Sequence, residues 1–172
     1  ILEQVDGSVL LIYADNETAR INLTKEIVLR GIEPSRLIFG ERLSKPEYLA
    51  RYRAADLFLD TLPFNAGTTA SDALRMGLPV LTCMGSSFVS REAASVINAI
   101  NLPELITTTQ EQYESLAIEL ATDPEKLKII KDKLTDNLSK APLYDTPLFT
   151  QRLESAYRKM YDRYQHGLDA DH

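Results

Sequence analysis

The sequence predicts an α/β fold: a doubly wound parallel sheet of about five strands, with extra helices at its C-terminal end. Three observations lead there. Short apolar runs of four to six residues recur along the 172-residue chain, they are continuous rather than alternating, and a stretch with helical spacing separates each from the next. Continuous apolar runs suit strands covered on both faces, and the helices between them are the crossovers that parallel strands require. Hydrophobic residues make up 44% and charged residues 26%, the balance of a soluble globular chain with one sizeable core.

Taken in order, "SVLLIY" (Ser8–Tyr13) reads as a buried strand and "ETARINLTKEIVLRGI" (Glu17–Ile32) as a helix ending near Gly31. "RLIF" (Arg36–Phe39) is the second strand, followed by a short helix from about Lys45 to Ala55. "DLFLD" (Asp56–Asp60) is the third, and "TTASDALRMG" the helix leading to the fourth, "PVLT" (Pro79–Thr82). A helix through "FVSREAASVINAI" precedes the fifth, "ELIT" (Glu104–Thr107). Beyond Thr107 the strands stop. "QEQYESLAIELAT" and "DPEKLKIIKDKLTDNL" have amphipathic spacing, the second with Asp123 as N-cap and Pro124 at the first helical position. "APLYDTP" breaks the pattern before a last helix, about Leu148 to Gln165, whose Leu153, Tyr157, Met160, Tyr161 and Tyr164 fall on one stripe. Core packing is the expected use of that stripe.

The bulk numbers exclude several roles. A formal net charge of -6 argues against nucleic acid as the main partner. The longest apolar run is far short of a membrane span and no signal-peptide pattern is present, so no membrane role is expected. One cysteine, Cys83, excludes an internal disulfide or a cysteine-based metal cluster; it points to a reducing, cytoplasmic setting and reads as a core residue. Both histidines, His166 and His172, lie in the last seven residues, so neither an imidazole base nor a His-rich metal site is expected in the folded body. The terminal "DADH" has Asp-x-Asp spacing but reads as a solvated tail. A first residue of Ile1 rather than methionine suggests a piece of a longer polypeptide.

In an open parallel sheet the ligand crevice lies beyond the carboxyl ends of the strands. Four loops leave those ends: Ala14–Asn16, Gly40–Ser44, Thr61–Gly67 and Met84–Ser87. The third is the most informative. In "PFNAGTT", Pro63 and Asn65 shape a turn, Gly67 lets backbone approach a ligand, and Thr68 and Thr69 add hydroxyls and free amide N–H groups at a helix start. Such an end favours an anion, typically phosphate. Thr69-Ala70-Ser71-Asp72 also fits capping-box spacing, so local pattern leaves a plain cap and a phosphate cradle equally open. "RLSKPEYLARYR" (Arg42–Arg53), net +3 in an acidic chain, tips the balance toward the cradle. Its Lys45 can lie near the same crevice, and Tyr48 can offer a ring face to a base, whereas Arg53 is better read as solvated. The Gly85-Ser86-Ser87 turn repeats the arrangement; a helix cap by Ser86 or Ser87 explains it equally well.

The runs "RLIF", "SKPEYL" and "AADLFLDTLPFNAGTTASDALRMGLPVLTCMGSSFVSREAASVI", continued by "QEQYESLA", "LATDPEKL" and "PLYDTPLFTQRLESAYRKMY", closely resemble the C-terminal catalytic lobe of the O-linked N-acetylglucosaminyltransferases, the family that includes the plant SPINDLY proteins. The resemblance covers most of the chain from about Ser8. It implies a GT-B glycosyltransferase architecture, two Rossmann-like lobes facing across a cleft. Residues 1–144 would be the nucleotide-sugar-binding lobe, and 145–172 a helix returning toward an N-terminal lobe, often preceded by tetratricopeptide repeats, that holds the acceptor protein or peptide. The implied activity is inverting transfer of N-acetylglucosamine from a UDP-sugar to a Ser or Thr hydroxyl, with no cofactor and no metal. UDP-glucose or GDP-fucose as donor, or a non-catalytic nucleotide-binding scaffold, are the alternatives.

By matched position, the resemblance assigns Lys45 a nucleotide contact and Tyr48 a stacking place where some members carry histidine. It puts Leu43 and Arg51 near the uracil, Thr68 and Thr69 on the diphosphate, and Asp72 on the ribose hydroxyls. Gly67 stands where some members carry a histidine beside the phosphates, which removes one donor and leaves the donor sugar open. Lys45, Thr68 and Thr69 would stabilise the leaving group. The acceptor-side base and a further family lysine would precede this segment, so the segment alone is expected to bind UDP weakly and turn over little.

Overall fold

A computed structural model describes residues 1–171; His172, the end of the "DADH" tail, lies outside the described residues. The chain opens with β1 (Leu10–Tyr13), α1 (Glu17–Leu29), β2 (Leu37–Gly40) and α2 (Lys45–Arg51), which continues as a 3₁₀ turn over Tyr52–Ala54. Then come β3 (Phe58–Leu59), α3 (Thr68–Arg75), β4 (Val80–Cys83), α4 (Glu92–Ala99) and β5 (Ile106–Thr107). Helices α5 (Gln110–Thr122), α6 (Pro124–Leu138) and α7 (Thr146–Gln165) complete it.

The five predicted strands are present and every pair is parallel, as the continuous apolar runs require. They form two ladders rather than one. Leu10 faces Leu37 and Tyr13 faces Gly40 across β1 and β2, while β4 lies between β3 and β5. The break falls at β3, where "DLFLD" yields only two strand residues. The N–H groups of Phe58 and Asp60 donate to the Pro79 and Leu81 carbonyls at 2.9 and 3.0 Å, so this edge is committed to β4.

The main core surrounds β4, whose four residues are all buried. Ala70, Ala73 and Leu74 of α3, Ala93 and Ile97 of α4, Leu120 of α5 and Leu134 of α6 close around it. Sequence signals set most helix ends. Asn16 caps α1 by accepting from the Ala19 N–H at 2.7 Å, and Asp123 caps α6 by accepting from the Lys126 N–H at 3.0 Å. Gly77 takes a φ of 83° just past α3, where a left-handed residue ends the helix. Cys83 is buried, as its apolar run implied.

Three expectations are corrected. The stripe on α7 is not core: Tyr157, Met160, Tyr161 and Tyr164 are all exposed, and no residue of α7 is buried. The reason is local, since the 3₁₀ turn Pro142–Tyr144 is the last segment held against the core and α7 leaves from it. Second, α4 begins only at Glu92, and neither Ser86 nor Ser87 caps it. Instead the Gly85 turn closes on buried Ser90, whose hydroxyl accepts from the Ser87 N–H at 3.0 Å. A Cβ on Gly85 would lie 2.8 Å from the Ser90 Cβ, which explains that glycine by packing. Third, the helix expected over Lys45–Ala55 stops at Arg51 and tightens into the 3₁₀ turn.

Candidate functional site

The turn between β3 and α3 is built around Asp60, a buried acid that ends an apolar run. Its Oδ1 accepts from the Thr61 N–H at 2.8 Å and the Ala66 N–H at 2.7 Å, and its Oδ2 from the Thr82 hydroxyl at 2.6 Å. The Asp60 carbonyl in turn accepts from the Tyr113 hydroxyl at 2.8 Å. Burial pushes the Asp60 carboxyl above the ordinary aspartate value, and the Thr82, Ala66 and Thr61 donors pull the other way. Asn65 is buried too, its amide donating to the Thr61 carbonyl at 2.8 Å and its N–H to the Val89 carbonyl at 2.9 Å. Beside this turn lies an open pocket of about 310 Å³, lined in part by Asp60, Phe64, Asn65, Gly67 and Thr69.

Gly67 is the N-cap of α3, and no side chain caps the helix. Its first internal bond is from the Ser71 N–H to the Gly67 carbonyl at 3.1 Å. The N–H groups of Thr68, Thr69 and Ala70 precede that bond and are left to whatever binds at the helix end. Thr68 and Thr69 are exposed there. The capping-box alternative is not what forms: Asp72 turns away from Thr69, and its Oδ2 holds the Lys45 ammonium at 2.7 Å. The helix is fixed from its other side, where the Tyr144 hydroxyl donates to the Ser71 carbonyl at 2.7 Å.

Lys45 thus reaches α3 from the start of α2. Its Nζ also lies 4.8 Å from the centre of the Tyr48 ring, within cation–π range. Ser44 and Glu47 set the helix start: the Glu47 carboxylate accepts from the Ser44 N–H at 3.2 Å and hydroxyl at 2.6 Å, which lowers its pKa. Tyr48 meets Tyr52 hydroxyl to hydroxyl at 2.6 Å, and Tyr52 donates onward to the Thr69 carbonyl at 3.4 Å. Burial and then the Tyr48 hydroxyl push the Tyr52 phenol well above its ordinary range, so it stays a neutral donor. Arg51 donates to the Glu41 carbonyl at 3.1 Å and packs over Gly40, with its guanidinium 5.9 Å from the Tyr48 ring centre.

Of the residues singled out in the sequence, Lys45, Tyr48, Thr69 and Asp72 form one connected group. Gly67 and Thr68 adjoin it along α3. Arg51 touches it through Tyr48, and Leu43 stays on the exposed loop before α2. Arg53 is exposed, as expected. Two contributors escaped the sequence reading: Asp60 and Tyr52. Only Asp60 had a signal, an acid closing an apolar run. Tyr52 stands in a basic helix with nothing in its neighbours to single it out. Among the described residues, no group of three His, Cys, Asp or Glu side chains could hold a metal ion, and no helix is long and apolar enough to cross a membrane.

The family model described as glycosyl transferase family 41 matches residues 1–153. Over 172 residues the chain is 33% identical to a UDP-N-acetylglucosamine–peptide N-acetylglucosaminyltransferase of Caenorhabditis elegans, covering all of this chain and 15% of that protein. It is 35% identical over 138 residues to a SPINDLY protein of Petunia hybrida, covering 80% of this chain and 15% of that one. The fold superposes on a solved mutant of the Thermobaculum terrenum O-GlcNAc transferase with a TM-score of 0.84 and 32% identity, over 92% of this chain and 31% of the other. The chain therefore spans about a seventh of the curated relatives it matches. With a family match over most of its length and a superposition on a relative's fold, the chain belongs to glycosyl transferase family 41.

Proposed function

We propose that this chain is the UDP-sugar-binding lobe of an inverting protein O-glycosyltransferase that transfers N-acetylglucosamine to Ser or Thr hydroxyls. The observation that carries the reading is the start of α3: a helix end with no side-chain cap, two exposed threonines, and a lysine held beside it by Asp72. Relatives named for UDP-N-acetylglucosamine and peptide acceptors support this donor and acceptor class. As the glycosidic bond breaks, the electron pair passes to the diphosphate oxygen. Negative charge there meets the free N–H groups and the Thr68 and Thr69 hydroxyls at the helix end, joined by the Lys45 ammonium. In this reading no metal is required.

The nucleoside end follows from the same layout. Tyr48 offers a ring face beside Arg51, with Leu43 on the loop that precedes them, and Asp72 exchanges Lys45 for ribose hydroxyls when the nucleotide enters. Lys45 is then released toward phosphate. The acceptor protein is assigned to a second lobe, and the uncovered apolar stripe of α7 supports a place where that lobe packs. The setting proposed is cytoplasmic, consistent with the single unpaired cysteine.

Calorimetry with uridine, UDP and GDP tests the assignment. UDP binds more tightly than GDP, and Thr68→Ala combined with Thr69→Ala weakens UDP by about 10- to 100-fold, the value of losing hydroxyl bonds to a charged group. Uridine changes by less than about twofold, because it lacks the phosphates. Equal weakening of both ligands would make the threonines a structural cap and end the cradle assignment.

A further inference from the structure

Glu92, in the first turn of α4, reaches across to the start of α3. A Cβ built on Gly67 would lie 2.8 Å from the Glu92 Cδ and closer still to its Oε1. The carboxylate therefore fills the space that a side chain at position 67 would occupy. Among the described residues it makes no hydrogen bond and no ion pair, and it does not cap α3. A helix N-terminus favours an anion beside it even without a hydrogen bond, so this carboxylate competes with an incoming anion for that end. It sits against the same N-cap glycine that the reading above places beside the diphosphate.

We propose that Glu92 is a specificity-determining residue of the phosphate seat. Its carboxylate occupies the mouth of α3 in the free protein, and its charge opposes each phosphate that enters. The site then holds multiply charged phosphates less tightly than the bare helix end would, and release of the product diphosphate, the most highly charged ligand, is helped the most. Entry of UDP needs only a rotamer change, because the atoms crowding Gly67 are the far end of a flexible side chain. Gly67 is required for this arrangement, since any larger residue would push the carboxylate out. The inference rests on the phosphate-seat reading and adds to it a residue on a different helix.

The test is calorimetry of the chain and its Glu92→Gln and Glu92→Ala variants with uridine, UMP and UDP, at about 0.05 M and about 0.5 M salt. Both variants should bind UDP about 3- to 10-fold more tightly, UMP by a smaller factor, and uridine unchanged within about 1.5-fold. The gain should shrink at high salt, as a charge effect must. A gain with Ala but not with Gln would make the effect steric and overturn the proposal, as would weaker UDP binding or an equal change for uridine. If the threonine pair discriminates UDP from uridine while Glu92→Gln leaves their ratio unchanged, only the role of Glu92 fails. If the threonine pair does not discriminate either, the seat itself fails and Glu92 with it.

Discussion

Removing the Asp60 carboxylate should loosen the turn that aims α3, and its cost can be worked from the contacts. Asp60→Ala deletes the acceptor of three hydrogen bonds, at 2.8, 2.7 and 2.6 Å. The Thr61 N–H can turn to water, since Thr61 is exposed, but the Ala66 N–H and the fully buried Thr82 hydroxyl cannot easily do so. Two stranded donors at about 1–3 kcal/mol each, less the relief of a desolvated carboxylate, give a loss of about 3 kcal/mol. For a domain of this size that corresponds to about 6–12 °C in Tm. Asp60→Asn should cost only about 1 kcal/mol, because its carbonyl still accepts from the two amides and its amide can donate to the Thr82 oxygen. Urea unfolding followed by circular dichroism reads both values. The sign of the pH effect is also determined. Because burial raises the folded-state pKa of Asp60, its contribution is fully present below the ordinary aspartate value near 3.8 and is lost as pH rises through the raised value. The stability of wild type relative to Asp60→Asn should therefore fall from acid toward neutral pH. An Asp60→Ala loss under about 1 kcal/mol, or a wild-type advantage that grows with pH over this window, would refute the role given to Asp60.

Two further outcomes follow from burial and exposure. Lys45→Met should leave urea unfolding within about 0.5 kcal/mol of wild type, since the Lys45 side chain is 62% exposed, yet weaken UDP about tenfold with little effect on uridine. Calorimetry beside the unfolding curve checks both halves. On α7, Tyr157→Gln and Met160→Gln should each change stability by less than about 0.5 kcal/mol, whereas Leu134→Ala in α6 should cost about 2–5 kcal/mol. Thermal unfolding separates these, and a large loss at Tyr157 would restore the core reading of the stripe.

The five strands and their crossover helices were legible because their signal is local: the continuous apolar runs and the cap at Asp123 do their work within a few residues. What escaped depended on partners distant in sequence. Asp72 sits at the right spacing to cap with Thr69, but Lys45, 27 residues earlier, takes it instead. Nothing in "TTASD" announces that exchange. Likewise Asp60 could be read as the end of a strand, but not as the centre of a turn tied to Thr82 and Tyr113. The α7 stripe was misread for a different reason. Helical periodicity shows that a face will be covered, and it carries no information about whether the cover comes from the same chain.

The site joins two parts of unequal firmness, and the division matches what the chemistry asks of each. The start of α3 grows directly out of the core: Ala70, Ala73 and Leu74 are fully buried, and the Asp60 turn and the Tyr144 hydroxyl hold it from two sides. The side bearing Lys45 and Tyr48 follows β2, whose neighbours β1 and α1 expose Leu11, Tyr13, Val28 and Leu29. Its links to α3 are one ion pair and the long Tyr52 bond to the Thr69 carbonyl, with Tyr52 also packed on Phe58 at 6.2 Å between ring centres. Stabilising charge that appears only as a bond breaks depends on dipoles already fixed in place, because any reorganisation at that moment raises the barrier. Holding a nucleoside makes no such demand, since its contacts form before the chemistry begins. In the proposed reading, amides on the rigid helix therefore suit the leaving diphosphate, and the tyrosine on the lightly buried side suits a nucleoside that must enter and depart.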